Sequence, residues 1–189
     1  MRKVVHGAVS QENAEKVMES MEITRLDASN FTENSLDDFS RYQEVTQVYR
    51  LIDGRLQLVP LTFTEDWPLA RRREKAREIL RGTHIVYGAV ENGEVVGVIM
   101  LLPALDYGRM VIDSFHVSAN HRRHGIGRAL FKAAKAEAIR RGAKALYASA
   151  CSARETIDFY RAMGFVISPN PIPECVADEP CDVQLECAI

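Results

Sequence analysis

Residues 120–131 read NHRRHGIGRALF. Two glycines, Gly125 and Gly127, lie among three arginines and two histidines. They follow the β-branched run RMVIDSFHV (109–117) and precede IGRALFKAAKAEAIRRG, whose Ile126, Leu130, Ala133, Ala134 and Ala138 recur at helical spacing. A strand, a glycine turn and a helix in succession present unpaired backbone N–H groups to an anion. The first amides of a helix lack partners, and its dipole concentrates positive charge there. Two phosphate motifs are excluded. A Walker A loop needs Gly-Lys-Ser/Thr, which is absent, and a Rossmann fingerprint needs a small residue three beyond Gly127, where Leu130 stands. A glycine-rich helix entry that holds nothing explains G-x-G alone equally well.

Outward from this turn, the chain reads as helices between strands. MEITRL from Met21 alternates as a strand, and 32–51 carries Leu36, Phe39, Val45, Val48 and Leu51 at a spacing that predicts a helix. GRLQLVPLTF (54–63) alternates again. Pro68 and Gly82 bracket a helix over EDWPLARRREKAREILRG, and Asn92-Gly93 between two apolar runs predicts a hairpin. ALYASA is a short strand. Ser152 and Glu155 have the spacing of a capping box for a helix that stops at Gly164, and DVQLECAI is a last strand. The pattern is α/β with a mixed sheet, in one domain over 21–189 preceded by an arm over 1–20 whose SQENAEKVMES could form a short helix.

The 189 residues are 47% hydrophobic and 26% charged with a formal net charge of −2. This balance argues against nucleic acid and membrane surfaces as partners, and no apolar run approaches the roughly 20 residues of a membrane span. Cys151, Cys175, Cys181 and Cys187 lack the spacing of metal knuckles, so free thiols, no metal and a cytoplasmic location are expected.

Arg122-x-x-Gly125-x-Gly127 after a strand ending FHV resembles the acyl-CoA signature of the GNAT superfamily of N-acetyltransferases. FYRAMGF, with Tyr160 four residues before Gly164-Phe165, resembles that superfamily's second signature. The resemblance spans about 21–189 and is strongest over 111–165. It implies a central, mostly antiparallel twisted sheet of about six to seven strands flanked by helices, with acetyl-CoA as co-substrate. By the same resemblance, backbone amides of Arg123, His124, Gly125, Ile126, Gly127 and Arg128 would cradle the pyrophosphate. Arg122, Arg123 and Arg128 would add charge. Phe115, His116 and Val117 would bind the pantetheine arm through the main chain, and Tyr160 would protonate the leaving thiolate.

Amine attack on a thioester needs a neutral amine, an oxyanion donor and a protonated leaving group. The oxyanion donor expected is the Val117 amide, unless that amide makes an ordinary sheet bond. For the base, strict alternation puts Asp113 on one face with Phe115 and Val117, and His116 on the other. An acid inside an apolar strand is either paired or employed. His84 is a weaker candidate base, and His116 reads more readily as packing. Many relatives have an asparagine seven residues before the tyrosine, where this chain has Ala153. Ser152 reads as a cap and Cys151 as buried packing. Glu65, Asp66 and Trp67 suggest either a wall for a cation or a helix entry with a packing tryptophan.

The function this implies is direct acetyl transfer to a primary amine in a ternary complex. The acceptor could be a small amine (polyamine, aminoglycoside or amino-acid derivative) or a protein amine. An acyl-CoA-binding sensor without turnover is the alternative. A homodimer through exposed strand edges is compatible with the fold.

Overall fold

A computed structural model describes residues 21–189; the expected arm over 1–20 lies outside the described residues. Nine strands and four α-helices follow one another. They are β1 (Met21–Arg25), β2 (Gln43–Ile52), β3 (Arg55–Glu65), α1 (Leu69–Leu80), β4 (Ile85–Glu91), β5 (Glu94–Asp106), β6 (Arg109–Val117), α2 (Ile126–Arg140), β7 (Ala145–Ala150), α3 (Arg154–Ala162), β8 (Val166–Ile167), α4 (Pro173–Asp178) and β9 (Val183–Ala188). Seven strands form one sheet in the order β1-β4-β5-β6-β7-β9-β8, and β2-β3 is a separate hairpin. Every neighbouring pair in the large sheet is antiparallel except β6 and β7. The mixed, mostly antiparallel sheet expected from the sequence is therefore present. Asn92 and Gly93 close the β4-β5 hairpin, both with positive φ as that turn demands.

Alternation along β4, β5 and β6 buries both faces of the sheet. Ile99, Leu101, Met110 and Ile112 join Ile126, Leu130 and Ala134 of α2 and Ile157 and Tyr160 of α3 in the larger core. Val86, Val98 and Met100 face the other way, onto Ala76 and Ile79 of α1 and onto Leu26, Phe31, Leu36 and Phe39. Each fully buried leucine or isoleucine contributes about 1.5–3 kcal/mol through area removed from water, so the sheet centre is the rigid part.

Two local expectations are corrected. Residues 32–51 are not a helix: turns occupy 33–38, and β2 begins at Gln43. Leu36 and Phe39 belong to the α1-side core, whereas Val45 and Val48 reach a separate small cluster with Ala153. The β2-β3 ladder shifts register between Val45 and Gln47. Buried residues three apart in an irregular strand mimic one turn of helix. The run VTQVY, rich in β-branched and aromatic side chains, was the strand signal.

The capping box is also absent. The N-cap of α3 is Ala153, with no side-chain cap bond. Ser152 Oγ instead accepts a hydrogen bond from Arg50 at 2.5 Å, and its carbonyl accepts one from the Tyr49 amide at 2.7 Å. Ser152 thereby fastens the β2-β3 hairpin to the end of β7.

Candidate active site

The parallel pair β6-β7 is only partly joined. Its register runs from Arg109 opposite Ala145 to Ile112 opposite Ala148 and stops there. Beyond that point, β6 remains paired with β5 through Val117 opposite Gly97, and β7 with β9 through Ala150 opposite Val183. The two strands therefore part toward their C-terminal ends. In an antiparallel ladder, successive backbone groups alternate between the two edges. The Ser118 amide donates to Val96 of β5 at 2.9 Å, so the main-chain groups of Val117 and Phe115 point away from β5, into the gap. Those of His116 point to β5. Of the three residues expected to offer main-chain bonds, Phe115 and Val117 have their main-chain groups directed at the gap and His116 does not. The Val117 carbonyl already accepts the Arg122 guanidinium at 3.0 Å, which leaves its amide directed at the gap.

At the wide end of the gap lies the glycine turn. Arg123 and Gly125 both have positive φ (67° and 86°), and Gly125 is the N-cap of α2. Consecutive N–H groups in such a turn converge into an anion-binding concavity. The first amide to join the helical ladder is that of Ala129, bonded to the Gly125 carbonyl at 3.0 Å, and among the described residues the amides of 123–128 have no hydrogen-bond acceptor. Gly127 is needed for another reason. A Cβ there would approach the Phe159 ring to 3.1 Å, so its absence lets α3 pack close beneath the turn. The side chain of Ile126 is buried in the core, and those of Arg123 and Arg128 are exposed. His124 is half-buried. The unpaired amides and the open strand edge fit a diphosphate with an extended amide-bearing arm, as acetyl-CoA has.

Tyr160 projects from α3 onto the same side as Phe115, with ring centroids 6.3 Å apart. It is only 6% exposed. Burial pushes its phenol well above the usual value, and the charge of Asp182 adds to this. A phenol held this firmly in its protonated form is unsuited to remove a proton, and its O–H is retained as a hydrogen-bond donor.

Asp113 is not on the face of Phe115 and Val117. Met100 stands opposite Ser114 but Leu101 stands opposite Ile112, so Asp113 is an extra residue in a β-bulge. The bulge resets the alternation: Ile112 and Phe115, three apart, both face the larger core. Asp113 turns instead to His84, whose Nε2 lies 3.4 Å away, and to Glu78 of α1. His84 Nδ1 is 3.1 Å from the Thr83 hydroxyl. His116 packs edge-on against Trp67 with centroids 4.6 Å apart, and burial holds its imidazole well below the usual range. Trp67 also stacks on Phe39, which supports its packing role.

Sequence reasoning missed Asp182, which stands on the β7 side of the open end of the gap. Cys151, just past β7, has Glu65 3.7 Å from its sulfur. Glu65 accepts a hydrogen bond from buried Arg41 at 2.5 Å. Asp182 precedes Val183, the partner of Ala150, and so stands beside Cys151 at the end of the ladder. Burial pushes the Asp182 carboxyl up to about 8, helped by a hydrogen bond with Glu179 and by Glu65. Burial likewise pushes the Cys151 thiol up to about 11, which suits packing and not nucleophilic attack. Among the described residues all four cysteines are free thiols, and no helix is long and apolar enough to cross a membrane.

Comparison with known proteins agrees with this geometry. Residues 52–165 match the family model described as Acetyltransferase (GNAT) family. No curated protein sequence matches the chain. Among solved structures, nourseothricin acetyltransferase superposes with a TM-score of 0.69 at 19% identity, over 89% of this chain and 98% of that one. A putative streptothricin acetyltransferase from Bacillus anthracis str. Ames, in complex with acetyl coenzyme A, gives 0.68 at 17% over 90% and 99%. The PaiA N-acetyltransferase from Thermoplasma acidophilum, in complex with coenzyme A, gives 0.59 at 15% over 90% and 99%. At these identities the superpositions establish the fold alone. With the family model covering more than half of its residues, the chain belongs to the GNAT family of acetyltransferases.

Proposed function

We propose that this protein transfers the acetyl group of acetyl-CoA directly to a primary amine while both are bound. The observation that carries the reading is the parted β6-β7 pair, ending at a helix mouth whose amides are unpaired among the described residues, with a buried, protonated phenol alongside.

Acetyl-CoA supplies an acyl thioester, and the residues divide the remaining work. The amides of 123–128 hold the diphosphate, with Arg122, Arg123 and Arg128 as auxiliary charge. Main-chain groups of Phe115 and Val117 pair with the arm as a neighbouring strand would, and the Val117 amide donates to the oxygen that becomes negative during attack. Across the reaction a C–N bond forms and the C–S bond breaks. The amine loses a proton and the sulfur gains one, which Tyr160 is placed to give. Asp113, paired with His84 on the α1 side of the sheet, remains a candidate for the deprotonating group if the amine enters from that side. No nucleophilic side chain is required, in keeping with the raised thiol of Cys151.

The test is release of free CoA from acetyl-CoA in the presence of a panel of primary amines. Turnover that depends on the amine and falls in Tyr160→Phe supports the reading. Tight acetyl-CoA binding without turnover across the panel would replace it with a thioester-binding sensor.

A further inference from the structure

Beside the β7 side of the gap lies a crevice of about 340 Å³ between β2 and the segment joining β8 to β9. That is the lower end of the range for small-molecule sites. Leu51, Ile167, Pro171 and Pro180 give it apolar walls, and Arg50 and Asp182 are its charged lining residues. Leu51 is 59% and Ile167 38% exposed, so apolar surface faces water here without a partner among the described residues.

A second observation ties this crevice to the chemistry. The Tyr160 hydroxyl belongs to a side chain that is more than nine-tenths buried, and it has no hydrogen-bond partner among the described residues. Asp182 lines the crevice and also precedes Val183, the partner of Ala150, so it stands on the β7 side of the open end of the gap, where its charge adds to the rise of the Tyr160 phenol. One carboxylate thus serves both the crevice and the place where Tyr160 would meet the sulfur.

We infer that Asp182 receives the ammonium of the acceptor, and that the crevice takes a compact primary amine with an apolar body in preference to a polyamine or a peptide terminus. This rests on the acetyl-transfer reading above. The local charges set the choice. Glu65 of β3 is paired with Arg41. Arg50 of β2 reaches Ser152 and lies within the field of Asp182. Glu179 shares a hydrogen bond with Asp182, Tyr49 and Cys181 line the crevice, the Tyr49 hydroxyl being held by Asp158, and Cys151 and Tyr160 lie next to it. Burial and the neighbouring Glu179 and Glu65 carboxyl groups keep a proton on Asp182 when no cation is beside it, so a single added ammonium is what lets it ionise, while the walls reward apolar area next to that charge. Once the ammonium is seated, its proton passes to the Asp182 carboxylate and the nitrogen lone pair becomes free to attack.

The experiment is steady-state CoA release with three probes: phenethylamine, spermidine and trialanine. The expected result is preferential turnover of phenethylamine. Asp182→Asn should raise its KM about tenfold or more, the scale of one lost charged hydrogen bond, while leaving the KM for acetyl-CoA unchanged. The acidic limb of the pH profile of kcat/KM for the amine should also vanish in that variant. Ile167→Lys places a competing cation on an exposed wall and should raise the same KM, which keeps the inference testable should Asp182→Asn fold poorly. An unchanged amine KM in both variants, or preference for spermidine or trialanine, overturns the inference and leaves acetyl transfer standing. CoA release with none of the three probes, while a broader amine panel is turned over, also overturns the inference alone. No release with any amine overturns both.

Discussion

The two sides of the gap between β6 and β7 are built from different materials. The β6 side is backbone: amides around Gly125 that are unpaired among the described residues, held by a turn with two positive φ values, and a strand edge at Phe115 and Val117. The β7 side is side chains from segments far apart in the chain, with Tyr49 and Arg50 on β2, Glu65 on β3, Tyr160 on α3 and Asp182 before β9. A backbone site depends on local conformation and tolerates most side-chain changes. A side-chain site depends on how the β2-β3 hairpin docks, through the Tyr49 amide on Ser152 and the Tyr49 hydroxyl on Asp158 at 2.8 Å. Side-chain substitutions therefore act more strongly on the β7 side than on the β6 side.

Substitutions can break this division, and the largest effect is expected where both sides meet. Tyr160→Phe keeps the ring packing and removes the proton donor, so kcat should fall on the order of a hundredfold with little change in acetyl-CoA affinity. An equal loss of affinity, read by calorimetry, would place Tyr160 with the β6 side instead. Gly125→Val comes next. A β-branched side chain at φ 86° is strained, and the turn should rearrange. Acetyl-CoA affinity is expected to drop about tenfold, since anion binding at a helix N-terminus depends on aimed amides. Unchanged affinity in a folded variant would mean the turn does not hold the diphosphate. Gly127→Ala should have a milder effect of a few-fold on the acetyl-CoA KM, because the new methyl only pushes on the Phe159 ring. A shift in the amine KM of the same size would show that the two sides are mechanically coupled.

The smallest effect concerns stability. Asp182 has a folded value of about 8 against 3.8 for an unperturbed aspartate, so the folded state retains a proton that the unfolded state releases. Its contribution is greatest below about 3.8 and declines as pH rises through about 8. Asp182→Asn does not titrate, so its melting temperature relative to the parent should rise by several degrees between pH 5 and pH 8 and level off above. A flat difference across that range would mean that the carboxyl is ionised throughout and solvated.

What could be read before the fold was known follows the same division. The glycine turn, the strand before it and the helix after it were legible because their signals are contiguous. G-x-G, the alternating run and the alanine-rich face lie within 109–142. Gly164 and Phe165 after Tyr160 are equally local. Two misreadings, the helix expected at 32–51 and the face assigned to Asp113, share one cause. In both, a ladder irregularity lets residues three apart reach one core, and such a shift is decided by the partner strand and not by the strand's own residues.

By itself, then, the sequence determined the order of strands and helices around the turn, the family resemblance and the amide-rich mouth, because hydrogen bonding and chain conformation at glycine are local. Only the tertiary structure decided that β6 and β7 part after Ile112, that Asp113 faces His84, and that Asp182 stands beside Cys151 at the end of β7. Those outcomes depend on which distant segments share the sheet edge, since burial and charge at a side chain are set by neighbours brought together across the fold.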